Sequence, residues 1–286
     1  MRLSAIILSF NSSRTLEVCL RSLAAALGED DEIWVVENGS TDGSVAILRR
    51  LEAELPALIR AIYCPVNTGT TVSRNRALRR ATGRLLLVMD SDVTVPAGLL
   101  PVLIQRVEAD GGIGILAPQL VYGHGGPQLS TDRFPTIGRK LTRLFRLKAM
   151  ERRLPPEGEI DRDVDYAISA FWLLRRDVLE RVGLFDENIF YSPEDVDYCL
   201  RVWLAGYRVV FTPVVTAIHD AQEVSRRLSI FALRHAAGLI YYFAKHRYAF
   251  SLGRLYRRLG VAAGGGAMSV PSRQANNPVT GRSGEA

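Results

Sequence analysis

The sequence lacks the groups that build several common kinds of site. It has three cysteines in 286 residues, Cys19, Cys64 and Cys199, and no Cys-x-x-Cys pair. That pattern argues against a cysteine-built zinc site and suits a reducing compartment, and a chain of this length needs no disulfide staples. No Gly-x-Gly-x-x-Gly follows the first apolar run, which disfavours an ordinary dinucleotide-binding fold. No Walker-type Gly-x-x-x-x-Gly-Lys-Ser/Thr, Gly-x-Ser-x-Gly elbow or His-Glu-x-x-His is present either. Phosphate, if bound, must be held in another way.

Long apolar runs are also missing. A membrane span needs about 20 apolar residues. The nearest stretch, Leu228 to Ala244, is interrupted by Arg234 and His235. Met1 to Phe10 turns polar too quickly for a secretory signal and reads as a first buried strand. The expectation is a cytoplasmic protein, soluble or peripheral at the inner face of the cell membrane.

What is present is an ordinary globular mixture, 48% hydrophobic and 23% charged. The net charge is +6, with arginines crowded between Arg139 and Arg153 and between Arg226 and Arg258. Such patches fit nucleic acid, anionic membrane or a plain solvated surface.

The first 120 residues alternate strand and helix patterns. Strands are expected at Leu3–Leu8, Glu32–Val36, Ile59–Cys64 and Leu85–Met89. Helices are expected at about Thr15–Leu27, after Gly43-Ser44 up to Leu55, and at Thr71–Ala81 with Gly83 as a C-cap. This order argues for a mostly parallel sheet of βαβ units. Ligands bind such sheets outside the carboxyl ends of the strands. That rule marks Ser9–Asn11, Glu37–Ser40, Asn67–Gly69 and Asp90–Asp92. After a turn-rich break at Tyr122–Pro127, residues 136–162 read as a long basic loop or short helix. Order resumes at Val164–Leu174, followed by a helix at Ser192–Ala205 and a strand at Tyr207–Phe211. Val214–Ile218 is strand-like, and Val224 to Arg258 reads as one or two helices.

Three features carry chemistry. Asp90 and Asp92 stand at i and i+2, so in extended chain both carboxylates project one way. Their repulsion calls for a cation, and a divalent metal carrying phosphate oxygens supplies one. The alternative is that Asp92 or Thr94 caps a helix begun by Pro96. In Ser192-Pro193-Glu194-Asp195-Val196-Asp197, a capping-box variant with Pro193 at the first helical position gives a purely structural account. A general base at Asp195 or Glu194 gives a functional one, and the two are compatible. Asp197 and Arg201 sit at i, i+4 and can pair. His219 ends a strand-like run and is either structural or a metal ligand that completes a carboxylate site for Mg or Mn.

In order along residues 3 to 247, further stretches join these features. They include Ile6–Asn11, Val35–Ser44, Asn67-Thr68-Gly69 with Arg74-Asn75, Asp90-Ser91-Asp92 and Asp165–Arg176. Gly183–Glu187, Tyr191–Arg201, Ala205-Gly206-Tyr207, His219 and Lys245-His246 follow. Together they resemble the family 2 glycosyltransferases of the GT-A fold, in particular a rhamnosyltransferase-like branch. The resemblance implies an α/β fold: a GT-A type, Rossmann-like, mostly parallel central sheet flanked by helices, with a C-terminal helical extension. A GT-A domain would span 1–224, its nucleotide-binding half about 1–120 and its acceptor half about 121–224. A helical segment at 225–262 and a disordered tail at 263–286 would follow.

The resemblance also implies roles. Ser9, Asn11 and Glu37 would line the nucleoside pocket, with Asn67 and Ser91 also on the donor side. Arg74 would sit near the base or phosphates and Asp90 near the ribose. Asp92 and His219 would bind a divalent metal, Mg or Mn. Asp195 matches the catalytic base, with Glu194 beside it, and Asp186 and Glu187 would shape the acceptor side. The implied partners are a nucleotide-sugar donor and a glycan or lipid-linked acceptor, and no nucleic acid is expected. Three positions depart from the pattern: Glu37 stands where Asp is usual, Asn67–Thr71 replaces an Asn-x-Gly-Phe-Ala run, and Ile168-Ser169 replaces Ser-Gly.

Rival functions lack their own marks. A nucleotidyltransferase would want a Gly- and Arg-rich loop where Ser9–Ser13 stands. A processive synthase would want membrane spans and Gln-x-x-Arg-Trp. A binding subunit without catalysis would not need Asp90, Asp92, Asp195 and His219 intact. The apolar residues within 226–258 read either as core-facing or as an interfacial helix at a membrane.

Overall fold

The computed structural model describes residues 2–139, 160–220 and 230–260. Most of the basic stretch (140–159), residues 221–229 and the tail expected at 263–286 lie outside the described residues. The first half runs β1 (Leu3–Ser9), α1 (Leu16–Ala24), β2 (Glu32–Glu37), α2 (Ser44–Glu54), β3 (Ile59–Tyr63), α3 (Thr70–Leu78) and β4 (Leu85–Asp90). Next come β5 (Val93–Thr94), α4 (Leu99–Ala109) and β6 (Ile113–Val121). Four short strands follow, β7 (Thr131–Asp132), β8 (Arg162–Asp163), β9 (Tyr166–Ala167) and β10 (Phe171–Arg175). The chain continues through α5 (Arg176–Val182), α6 (Glu194–Leu204), β11 (Arg208–His219), α7 (Ile230–His246) and α8 (Leu252–Leu259).

The main sheet is ordered β3-β2-β1-β4-β10-β6-β11-β5, with β8 on β11. Strands β3, β2, β1 and β4 are parallel to one another, as are β6 and β11. Strand β10 runs antiparallel between β4 and β6. Side chains alternate between two cores, as the two-residue strand period requires. Ile6, Leu86 and Val88 pack on one face with Trp172 and Tyr198. Ala5, Ile7, Leu85, Leu87 and Met89 pack on the other with residues of α1, α2 and α4. Burial on both faces explains why these strands read as unbroken apolar runs.

Several local readings change. Helix α4 begins at Leu99 behind a left-handed Gly98, so Pro96 does not start it, and no side chain caps it. Asp92 and Thr94 are therefore free of the capping role. Helix α6 begins at Glu194 with Pro193 as its N-cap and no side-chain cap bond, so the capping box is not formed. Helix α3 ends with Arg79 as its C-cap rather than near Gly83. A Cβ on Gly83 would lie 2.5 Å from the Ser4 nitrogen, so β1 itself demands the glycine. The two runs at Tyr207–Phe211 and Val214–Ile218 are one strand, β11, with a register shift between Thr212 and Thr216 around Pro213.

Candidate active site

Strand register brings the candidate residues to one edge. Ser9 is opposite Glu37, Glu37 is opposite Tyr63, and Leu8 is opposite Asp90. Past Asp90 the chain turns into β5, which pairs antiparallel with the end of β11. His219 is opposite Val93, and the Asp220 nitrogen donates to the Asp92 carbonyl at 2.9 Å. The pairing delivers His219 onto Asp92, with Nε2 3.3 Å from Asp92 Oδ1. Asp90, Asp92 and His219 each offer a ligand atom, and those atoms lie within 4.8 Å of one another.

The test of a cation at this place is the chemistry left unsatisfied there. Asp92 Oδ1 is buried and accepts no hydrogen bond. A buried charged oxygen without a donor costs on the order of 1–3 kcal/mol or more. Two carboxylates and one imidazole are the hard-oxygen and nitrogen set that Mg or Mn accepts. The residues fit such an ion. Burial disfavours the His219 imidazolium, but Asp92, Asp90 and Asp220 outweigh it and raise its pKa. On its far side, His219 Nδ1 lies 2.8 Å from Gln128 Oε1. Nothing in the sequence pattern marks Gln128, which follows the turn-rich Tyr122–Pro127 break.

Arg74, on α3, is 1% exposed. Its Nη2 donates to Asp90 Oδ1 at 2.6 Å, and its Nη1 donates to Ser169 Oγ at 2.6 Å. Glu194 Oε1 is 3.6 Å from Nη1. Arg74 is thus committed to the site's carboxylates. Burial raises the Asp90 pKa against the pull of Arg74, and the Asp92 charge adds to the rise. Burial, followed by the charge of Asp195, pushes Glu194 up to about 7. Asp195 follows Glu194 in the first turn of α6, and its Oδ1 accepts from the Val196 nitrogen at 2.7 Å. Leu8, Arg74, Asp90, Ser169, Tyr191, Glu194, Asp195 and His219 line one cavity of about 240 Å³.

The loop before α6 is fixed from α3. Thr71 Oγ1 donates to the Ile189 carbonyl at 2.7 Å, and the Thr70 nitrogen donates to the Phe190 carbonyl at 2.7 Å. The Asn75 amide both accepts from the Phe185 nitrogen and donates to its carbonyl. The departure at Thr70-Thr71 thereby gains a structural reason. Ser169 likewise does not merely replace a small residue, because it holds Arg74.

Ser9, Asn11, Glu37, Asn67 and Ser91 lie at the same sheet edge but do not line this cavity. Glu37 is buried, and its two oxygens accept from the Gly39 and Ser40 nitrogens. Asn11 Oδ1 accepts from the Thr41 nitrogen at 2.9 Å. Asn67 Oδ1 accepts from Asn38 Nδ2 and the Gly69 nitrogen. Ser91 Oγ is 2.7 Å from Ser12 Oγ, and Ser9 Oγ is buried without a partner. These side chains shape the loops after β1, β2 and β3.

A mostly parallel central sheet with helices on both faces is the architecture of the GT-A glycosyltransferases. Mannosyltransferase PcManGT from Pyrobaculum calidifontis, solved with GDP-Man and Mn2+, superposes with a TM-score of 0.62 at 20% identity, covering 90% of this chain and 68% of that one. Residues 1–349 of S. aureus TarS, in complex with UDP-GlcNAc, give 0.61 at 19% identity, covering 91% and 70%. The family model for glycosyl transferase family 2 matches residues 4–183, and the chain belongs to that family. A cholesterol galactosyltransferase of Borreliella burgdorferi is 25% identical over 219 residues, 73% of this chain and 57% of its own length. Rhamnosyltransferase WbbL of Escherichia coli is 33% identical over 120 residues, 41% of this chain and 45% of its own. The chain thus spans about half the length of these curated relatives.

Proposed function

We propose that the protein transfers a sugar, with inversion, from a nucleoside-diphosphate sugar to a hydroxyl acceptor, a glycan or a lipid-linked saccharide. The observation that carries this reading is one small cavity lined both by Asp90 and His219 of the cation-fitting group and by Glu194-Asp195. The first matches what a diphosphate needs, and the second matches what a hydroxyl needs. The relatives' names and the donors held by structural neighbours supply the nucleotide-sugar class.

Asp92 and His219 would hold the metal, Mg or Mn, with Asp90 beside them. When bound, such an ion supplies positive charge against a leaving diphosphate. Asp195 takes the proton from the acceptor hydroxyl as its oxygen forms a bond to the anomeric carbon. The carbon–oxygen bond to the diphosphate breaks on the opposite face, and the electron pair leaves with the diphosphate. Burial and then the neighbouring Asp195 push the Glu194 carboxyl up to about 7, so Glu194 stands beside the proposed base as a carboxyl that holds its proton more readily than an ordinary glutamate. Arg74 holds Asp90 in place. Ser9, Asn11, Glu37, Asn67 and Ser91 set the loops that receive the nucleoside.

The deciding experiment measures nucleoside diphosphate released from a panel of nucleotide sugars, with and without Mn2+. Release that depends on the metal, and is lost in Asp92→Ala, is expected. Failure of every donor to bind or turn over would remove the reading.

A further inference from the structure

The described C-terminal residues divide sharply into two faces. Helix α7 packs one face against the loop leading to Glu194. A Cβ on Gly238 would lie 2.6 Å from the Ser192 carbonyl oxygen. The Tyr241 hydroxyl donates to Asp186 at 3.0 Å, and Lys245 Nζ reaches Asp186 and Asp197 at 2.6 and 2.7 Å. Tyr242 and His246 are buried on the same side.

The opposite face is apolar and open. Leu233, Ala236, Ala237, Ile240 and Ala244 recur at helical spacing, and all are exposed. Leu233 is 68% exposed and Ile240 is 71% exposed. Just beyond the helix, Phe250 is 83% exposed. No helix among the described residues is long and apolar enough to cross a membrane.

Charge completes the pattern. Residues 230–260 hold six cations, Arg234, Lys245, Arg247, Arg254, Arg257 and Arg258, and no Asp or Glu. In α8, Leu255 is buried while Arg254, Arg257 and Arg258 are exposed at i, i+3 and i+4. An exposed apolar stripe followed by an unbroken run of cations is complementary to a surface with an apolar interior and negative headgroups. A second copy of the chain would bring the same cations against themselves.

We propose that the outer face of α7, with Phe250 and the arginines of α8, is a docking surface for an anionic lipid bilayer. The helix lies in the interface with Leu233 and Ile240 inserted among the headgroups, and Arg247, Arg254, Arg257 and Arg258 meet the phosphates. Because the inner face of α7 covers the loop before Glu194, docking sets the acceptor side of the cavity beside the membrane. That consequence rests on the glycosyltransferase reading, whereas the surface itself does not.

The test is flotation of the full chain with phosphatidylcholine vesicles and with phosphatidylcholine–phosphatidylglycerol vesicles. Flotation with the anionic vesicles alone, weakened by salt, is expected. Replacing Arg254, Arg257 and Arg258 by Gln should weaken binding about a hundredfold, at about 1 kcal/mol per basic residue near an anionic surface. Leu233→Ser with Ile240→Ser should also abolish flotation. Both variants should keep the wild-type melting temperature and wild-type donor hydrolysis, because none of these positions lines the cavity. Equal flotation with neutral vesicles, or none with either, overturns the proposal. So does an Ile240-dependent dimer in sedimentation that does not float. Donor hydrolysis by the same preparations reports separately on the catalytic reading.

Discussion

His219 is gripped from both sides, by Gln128 Oε1 2.8 Å from Nδ1 and by Asp92 Oδ1 3.3 Å from Nε2. An acceptor on Nδ1 holds a ring proton there, so Nε2 is the nitrogen left to bind a cation beside Asp92. Gln128→Leu removes that acceptor at similar size. Mn2+ affinity, measured by calorimetry on the metal-free protein, should fall about ten- to a hundredfold. Unchanged affinity would mean that Gln128 only fills space.

Asp195→Asn removes the proposed base and keeps the shape of the side chain. Turnover with an acceptor should fall on the order of 10²–10⁴-fold. The dissociation constant for the donor, followed by fluorescence or calorimetry, should stay within about twofold, since uniform binding and proton transfer are separable. Near wild-type turnover would move the base elsewhere, with Glu194 the first residue to examine.

The sheet edge was legible because βαβ patterning obliges parallel strands to end together. Ser9, Glu37 and Asp90 therefore fell out of the alternation of apolar runs and helix starts. Their contacts were not legible. Arg74 reads as a phosphate contact, yet it is spent on Asp90 and Ser169, partners 16 and 95 residues away. Gln128 reaches His219 across 91 residues from a turn with no periodic pattern. Local grammar also misled. Pro96 and Ser192-Pro193 look like helix starts, but Gly98 at positive φ and Pro193 itself stand at the N-caps. The two faces of α7 were likewise invisible as such, because an apolar residue looks the same in sequence whether it packs inward like Tyr242 or stands open like Ile240.

Glu194 links pH to stability. Its carboxyl is pushed up to about 7 in the fold, by burial and then by Asp195. Its unfolded value is near the ordinary 4.5. Between these values the folded state binds more protons than the unfolded state, so this group makes stability fall as pH rises from about 4.5 to 7. Glu194→Gln removes the linkage. The variant should gain stability relative to wild type at pH values above about 7 and show little difference near pH 4, read from urea midpoints. A constant difference across pH would mean that the group is not desolvated in solution.

Asp197 anchors the C-terminal helices and supplies the opposite sign. Its side chain is 1% exposed, with Arg201 at 3.0 Å, Lys245 at 2.7 Å and His246 at 2.7 Å around it. Burial alone would raise its pKa, but His246, Arg201 and Lys245 outweigh burial and hold it below the ordinary carboxylate value. A depressed carboxylate contributes stability above its unfolded pKa and loses it as pH falls through the folded value. Asp197→Ala leaves Arg201 without its carboxylate partner, while Lys245 keeps Asp186, and should cost about 3 kcal/mol near neutral pH. The loss should be local first, because two of the three partners belong to α7. Hydrogen exchange in residues 230–246 should rise ahead of exchange in β1 and β4. The penalty should shrink in acid, where wild-type Asp197 is itself protonated. A variant that melts with wild-type midpoint and keeps α7 protected would show that the aromatic packing of Tyr242 and Tyr248 holds the helix without Asp197.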